Sequence, residues 1–172
     1  MGNLVLRQAI ETDLEPLVAM YQSVRDWLAA RGSDQWATYA SDVFRESMTL
    51  SIEDNCCFVV IDGDQLLGTI TVDSFADAEF WNGTERAEDA LYLHRMMVDR
   101  KAAGRNLGRF LLDHAENLAA ASGKHWLRLD AWRTNVKLHN YYLQQGFVKI
   151  RIISLDHRGS GALFQRPTRA IS

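Results

Sequence analysis

A chain of 172 residues, 47% hydrophobic and with two prolines, has the size and apolar content of one ordinary globular domain, so residues 1–172 are expected to form a single domain. A formal net charge of -3 and a pI near 5.9 exclude a general attraction for nucleic acid and leave only local basic clusters to hold anions. No apolar run reaches membrane-spanning length, no signal-peptide pattern opens the chain, and the adjacent Cys56 and Cys57 cannot frame a disulfide scaffold, so a soluble, cytoplasmic protein without a membrane partner is expected.

Residues 4–7 read as a short strand. Thr12 and Glu15 have the spacing of a capping box, with Pro16 in the first turn. They open a helix whose apolar side carries Leu17, Met20, Tyr21, Val24, Trp27 and Leu28 and which stops at Gly32. A shorter helix follows over about 42–52. Residues 56–61 and 66–72 are apolar, β-rich runs around a turn at Gly63, which predicts a hairpin.

Residues 73–89 break all periodicity and contain Phe75, Phe80 and Trp81 among six acids and one base. Such a loop could attract and cover a cationic amine, or be a solvated surface loop tucked down by two aromatics; no residue in it receives a role.

Residues 91–98 read as a central strand, and 107–121 as a helix with apolar residues at Leu107, Phe110, Leu111, Ala115, Leu118 and Ala119. Gly123 ends that helix, and the alternation over 126–132 predicts the next strand, parallel to its predecessor across the helical crossover. A helix from Asn135 to about 145, a strand to Ile153 and a last strand near 162–165 complete the chain.

Between the central strand and its helix the period changes across Gly104 to Gly108. Arg95, Arg100, Lys101, Arg105 and Arg109 surround that loop, opposed only by Asp99. A helix entered through glycines presents unpaired N–H groups and a positive dipole end, which suits phosphate; a tight turn with solvated arginines fits the same residues. Gly108 is followed by Arg109 and Phe110 rather than Lys-Ser/Thr, and Asn106 stands where a dinucleotide fingerprint needs glycine, so neither of those loops fits.

Ala103, Gly104, Arg105, Asn106, Leu107 and Gly108 instead resemble the acyl-CoA loop of the GNAT N-acetyltransferases, Arg/Gln-x-x-Gly-x-Gly/Ala at the same strand-to-helix junction. Two positions depart from it: Ala103 replaces the basic residue and Asn106 the middle glycine. Asn tolerates left-handed backbone, so the turn is expected to survive, with Arg105 or Lys101 replacing the missing donor. Downstream, Asn135-x-x-Leu138-x-x-x-Tyr142-x-x-x-Gly146-Phe147 is similar to the family's second signature, with Leu138 for alanine.

The resemblance implies an α/β acyl-CoA N-acyltransferase fold, a mixed twisted sheet with helices on both faces. It implies acetyl-CoA as cofactor, held by Met96, Met97 and Val98 of the strand edge, by the loop from Ala103 to Arg109, and by Asn135. It implies direct transfer, in a ternary complex, to a primary amine on a small molecule, with protein amines and aminoglycoside-like acceptors open and a homodimer left open. Tyr142 stands where the family places the acid that protonates the departing sulfur. A phenol with an ordinary pKa near 10, above that of a thiol near 8.5, suits that task.

His94 is the candidate base, because Tyr92, His94, Met96 and Val98 share one face of an ideal strand and arylalkylamine-acetylating members carry His-x-His at the positions of Tyr92 and His94. Tyr142 also fits a phenol capping the core, and His94 a packing histidine. His114, His125, His139 and His157 lack partners at metal-ligand spacings, so no metal is expected. The rival reading is a non-catalytic CoA-binding sensor or interaction module, motivated by Ala103 and Asn106.

Overall fold

The computed structural model describes residues 3–169, so the ends of the expected 1–172 domain lie outside the described residues. Its strands are β1 (Leu4–Gln8), β2 (Cys57–Asp62), β3 (Gln65–Asp73), β4 (Ala90–Val98), β5 (Trp126–Trp132), β6 (Val148–Ile152) and β7 (Ser160–Pro167). Its helices are α1 (Leu14–Ala29), α2 (Ser41–Glu53), α3 (Leu107–Ala121) and α4 (Val136–Gln144). The strands hydrogen-bond in the order β1-β2-β3-β4-β5-β7-β6. β4 and β5 run parallel, as two strands joined through a helix should, while β1/β2, β2/β3, β5/β7 and β6/β7 are antiparallel, so the sheet is mixed.

By its internal packing the chain divides into two compact units. The first comprises the chain up to Val72 together with Arg95–Leu111; the second comprises Asp73–His94 and the chain from Leu112 onward. β4 passes from one to the other at Arg95, a non-glycine residue with a φ of 49°.

The first unit contains β1, β2, β3, α1, α2 and the end of β4. Leu17, Met20, Tyr21 and Leu28 of α1 are buried as their spacing predicts, with Val24 and Trp27 partly so. Tyr21 stacks on Phe44 of α2 with ring centroids 4.1 Å apart and 8° between planes, and its hydroxyl donates to the Tyr39 carbonyl. Burial of side chains such as Leu17, Phe44 and Met48 stabilises the unit by roughly 2 kcal/mol each.

The predicted capping box does not form. The helix entry is organised by Asp13, which accepts the Ile10 N–H at 2.8 Å and a bidentate pair from Arg7 at 2.7 and 3.0 Å. Glu15 pairs with Arg45 instead, because a guanidinium offers a carboxylate two charge-assisted bonds where the box offers one.

The second unit is organised by arginines. Arg128 of β5 is buried; it donates to the Tyr92 hydroxyl at 3.2 Å, the Gln165 side chain at 3.2 Å and the Glu85 carbonyl at 2.7 Å, and lies over the Trp81 ring. Arg151 of β6 holds Glu85 through two bonds of 2.6 and 2.8 Å. Arg158 binds Asp77 and Glu79.

Residues 73–89 therefore carry more order than expected. Two single 3-10 turns, Gly83–Glu85 and Ala87–Asp89, lie within them, and Phe80 and Trp81 are buried against Tyr92 and Leu163. Three of their acids are neutralised by arginines from outside the loop, so it is tied down by charge as well as by its two aromatics.

Candidate active site

The loop leading into α3 is shaped by backbone conformation. Asp99 accepts the Lys101 N–H at 2.8 Å and starts a 3-10 turn over Arg100–Ala102. Gly104 then takes a φ of 84° and Asn106 a φ of 56°. Asn106 thus holds the left-handed conformation expected of it in place of glycine. A Cβ at Gly104 would meet nothing within 4 Å, so that position demands glycine for its φ alone.

Phe110 N–H bonds to the Asn106 carbonyl at 3.1 Å as the first bond of α3, which leaves the Leu107 and Gly108 N–H groups ahead of the intrahelical ladder. Leu107 is buried and anchors the turn. Of the two replacements foreseen for the donor missing at Ala103, Arg105 is bound to Asp62 at 2.9 Å, while Lys101 is exposed. Arg100 stacks over the Trp27 ring at 3.8 Å. One supporting residue escaped the sequence: a Cβ on Gly68 of β3 would meet the Met97 carbonyl at 3.2 Å and Leu111 at 3.3 Å, so Gly68 permits the close approach of β4 and α3.

The ladder between β4 and β5 runs only from Ala90↔Trp126 to Leu93↔Leu129, whereas β4 continues to Val98. Its last residues, Met96, Met97 and Val98 among them, therefore extend past that pairing. The expectation that Tyr92, His94, Met96 and Val98 share one face is overturned, because the left-handed Arg95 resets the alternation. Met97 is consequently buried in the core of the first unit and Met96 and Val98 are half-buried, while the Arg95 guanidinium reaches the Ser51 hydroxyl at 2.9 Å.

The second unit contains both candidate proton carriers. His94 Nε2 lies 2.9 Å from Asp73 Oδ1, with both side chains partly exposed. Asp73 Oδ1 also accepts the Phe75 N–H at 2.9 Å, an Asx turn that fixes the carboxylate at the end of β3. Tyr92 is not the polar neighbour of His94 suggested by strand spacing: its hydroxyl donates to the Ala87 carbonyl at 3.0 Å and receives Arg128. Burial pushes the Tyr92 phenol up despite that arginine.

Tyr142 of α4 is buried, its ring packed on Phe147, Phe164 and Tyr141. Burial, with smaller contributions from Tyr141 and Asp130, pushes its phenol well above the ordinary value, so it keeps its proton at any physiological pH. Asn135 is the N-cap of α4, its side chain accepting the Leu138 N–H at 3.0 Å, and that cap sets the start of the helix that carries Tyr142. Among the described residues no group of three or more His, Cys, Asp or Glu could hold a metal ion, and no helix is long and apolar enough to cross a membrane.

The sequence profile of the Acetyltransferase (GNAT) family matches residues 21–147. An uncharacterized N-acetyltransferase, YesJ, of Bacillus subtilis (strain 168) is 30% identical over 142 residues, which cover 81% of this chain and 78% of that protein. A GNAT-family acetyltransferase from Listeria monocytogenes superposes with a TM-score of 0.75 at 25% identity, covering 97% of this chain and 98% of its own. The PaiA N-acetyltransferase of Thermoplasma acidophilum, solved in complex with coenzyme A, superposes with a TM-score of 0.69 at 19% identity, over 96% of this chain and 99% of its own.

Proposed function

The chain belongs to the acetyltransferase (GNAT) family and is an acetyl-CoA-dependent acyltransferase; from that premise we propose that it acetylates a primary amine on a small molecule by direct transfer in a ternary complex. The observation that carries the proposal is a single compact unit holding both a phenol that keeps its proton, Tyr142, and an imidazole in hydrogen-bond contact with a carboxylate, His94 with Asp73. A protein that only senses CoA has no use for either.

The residues of the loop fit the cofactor. Left-handed Gly104 and Asn106 shape a turn whose following N–H groups, on Leu107 and Gly108, would take a diphosphate, with Ala103, Arg105 and Arg109 as flanking positions. The edge of β4 at Met96, Met97 and Val98 would bond amides along the pantetheine arm, and one of its N–H groups would polarise the acyl carbonyl. Acetyl-CoA supplies the thioester from which the acetyl group leaves.

His94 accepts the proton that the amine loses as its nitrogen bonds to the acetyl carbon, and the Tyr142 hydroxyl gives a proton to the sulfur as the C–S bond breaks. Asn135 acts by capping the helix of Tyr142. The buried Cys57 thiol, which burial pushes up to about 11, takes no part and suits a reducing cytoplasm.

Thiol release from acetyl-CoA should be measured with 2-phenylethylamine, spermidine and glucosamine, beside calorimetry with CoA alone. Turnover with one of these amines is expected. CoA binding with no turnover on any of them would favour the sensor instead.

A further inference from the structure

We propose that Asp73 is the positioning residue for His94: its carboxylate accepts a hydrogen bond from Nε2–H, holds the neutral imidazole in that tautomer, and leaves Nδ1 as the atom that accepts the proton of the incoming amine. The inference rests on the reading of His94 as base and adds the group that makes it competent. Three observations meet at this point. The Nε2 to Oδ1 distance of 2.9 Å is that of a full hydrogen bond. The same Oδ1 accepts the Phe75 N–H at 2.9 Å, so the carboxylate is fixed by backbone before it meets the ring. Side-chain exposures of 19% for His94 and 27% for Asp73 leave the pair partly out of water, where a charge-assisted bond is strong enough to choose a tautomer.

The nearby carboxylate of Asp77 is held by Arg158, which also binds Glu79. Asp73 is therefore the acid in hydrogen-bond contact with the ring. Nδ1 makes no hydrogen bond among the described residues, and the side chain that carries it is partly exposed. A purely structural pin between the end of β3 and β4 would have the same geometry, so the test must read the ring itself.

Long-range 1H–15N NMR of the imidazoles, assigned through His94→Gln, should show neutral His94 in the wild-type protein as one Nε2–H tautomer. In Asp73→Leu the tautomers should mix, and kcat with the best amine of the panel should fall on the order of tenfold while the KM for acetyl-CoA stays constant. Asp73→Asn should preserve the tautomer and recover much of kcat, because its Oδ1 still accepts both donors. An unchanged tautomer in Asp73→Leu overturns the proposal, as does an unchanged kcat in that variant when His94→Gln is slow. Full activity of His94→Gln would instead remove His94 as base, and the tautomer would still judge Asp73.

Discussion

The two units solve different problems with different parts of the polypeptide. In the first, the functional stretch is backbone: φ values of 84° at Gly104 and 56° at Asn106, and the Leu107 and Gly108 N–H groups that follow. In the second, the polar groups around the candidate site are held chiefly by side chains: Arg128 on a carbonyl and a phenol, Arg151 on Glu85, Asp73 on His94. A backbone site tolerates a change of side chain provided the conformation survives, which is why Ala103 and Asn106 can depart from the family pattern. A side-chain site tolerates almost none. The contrast divides the kinetic parameters: damage to the first unit should appear in the KM for acetyl-CoA, damage to the second in kcat.

The sharpest test of that division is Tyr142→Phe. The ring and its contacts with Phe147 and Phe164 are kept, so the fold should hold; kcat should drop by about 10²-fold or more in steady-state assays, with CoA affinity by calorimetry within about twofold of wild type. A matching fall in CoA affinity would erase the distinction between the units.

Next in size, Gly104→Ala forces a Cβ into left-handed backbone at a strain of roughly 1 kcal/mol, raising the KM for acetyl-CoA about fivefold at constant kcat, whereas Asn106→Gly should leave both unchanged. Equal effects from the two substitutions would show that side chains, not φ, govern that loop.

A smaller effect is expected at Glu85, whose carboxylate the Arg151 guanidinium holds below the usual range. A lowered folded-state pKa contributes stability that is present above the unfolded value near 4.3 and is lost as pH falls through the folded value. Thermal melts of Glu85→Gln should therefore lie below wild type at pH 5–7 and converge with it below about pH 4. Least of all, Arg105→Ala removes an exposed pair with Asp62 and should shift Tm by about a degree and KM by less than twofold.

What the sequence revealed follows the same line. The alternation of Trp126 to Trp132 predicted β5 residue for residue, and Gly123, with a φ of 69°, ends α3 where its lack of a Cβ suggested. Local signals of that kind act within a few positions. Arg95 gives no such sign, because nothing in a guanidinium side chain announces a left-handed φ, and so the face of β4 was misjudged beyond His94.

The partner of His94 was illegible for another reason: Asp73 is 21 residues away, and one of six acids in its stretch. The arginines that bind the same stretch from outside it lie 43 to 81 positions downstream, so its order depends on partners that only the closed fold supplies. At the start of α1 a local signal misled, since Thr12 and Glu15 spelled a capping box while Arg7 and Arg45 offered their carboxylate neighbours stronger bonds.

β4 runs five residues beyond its last rung with β5. Peptide groups on that side of the strand have no rung with β5 to protect them, so their deuterium uptake should be quick in the free protein. Slowed uptake confined to Met96–Val98 on adding CoA would register occupancy, and the residues over which it is slowed would measure how much of the pantetheine arm the strand embraces.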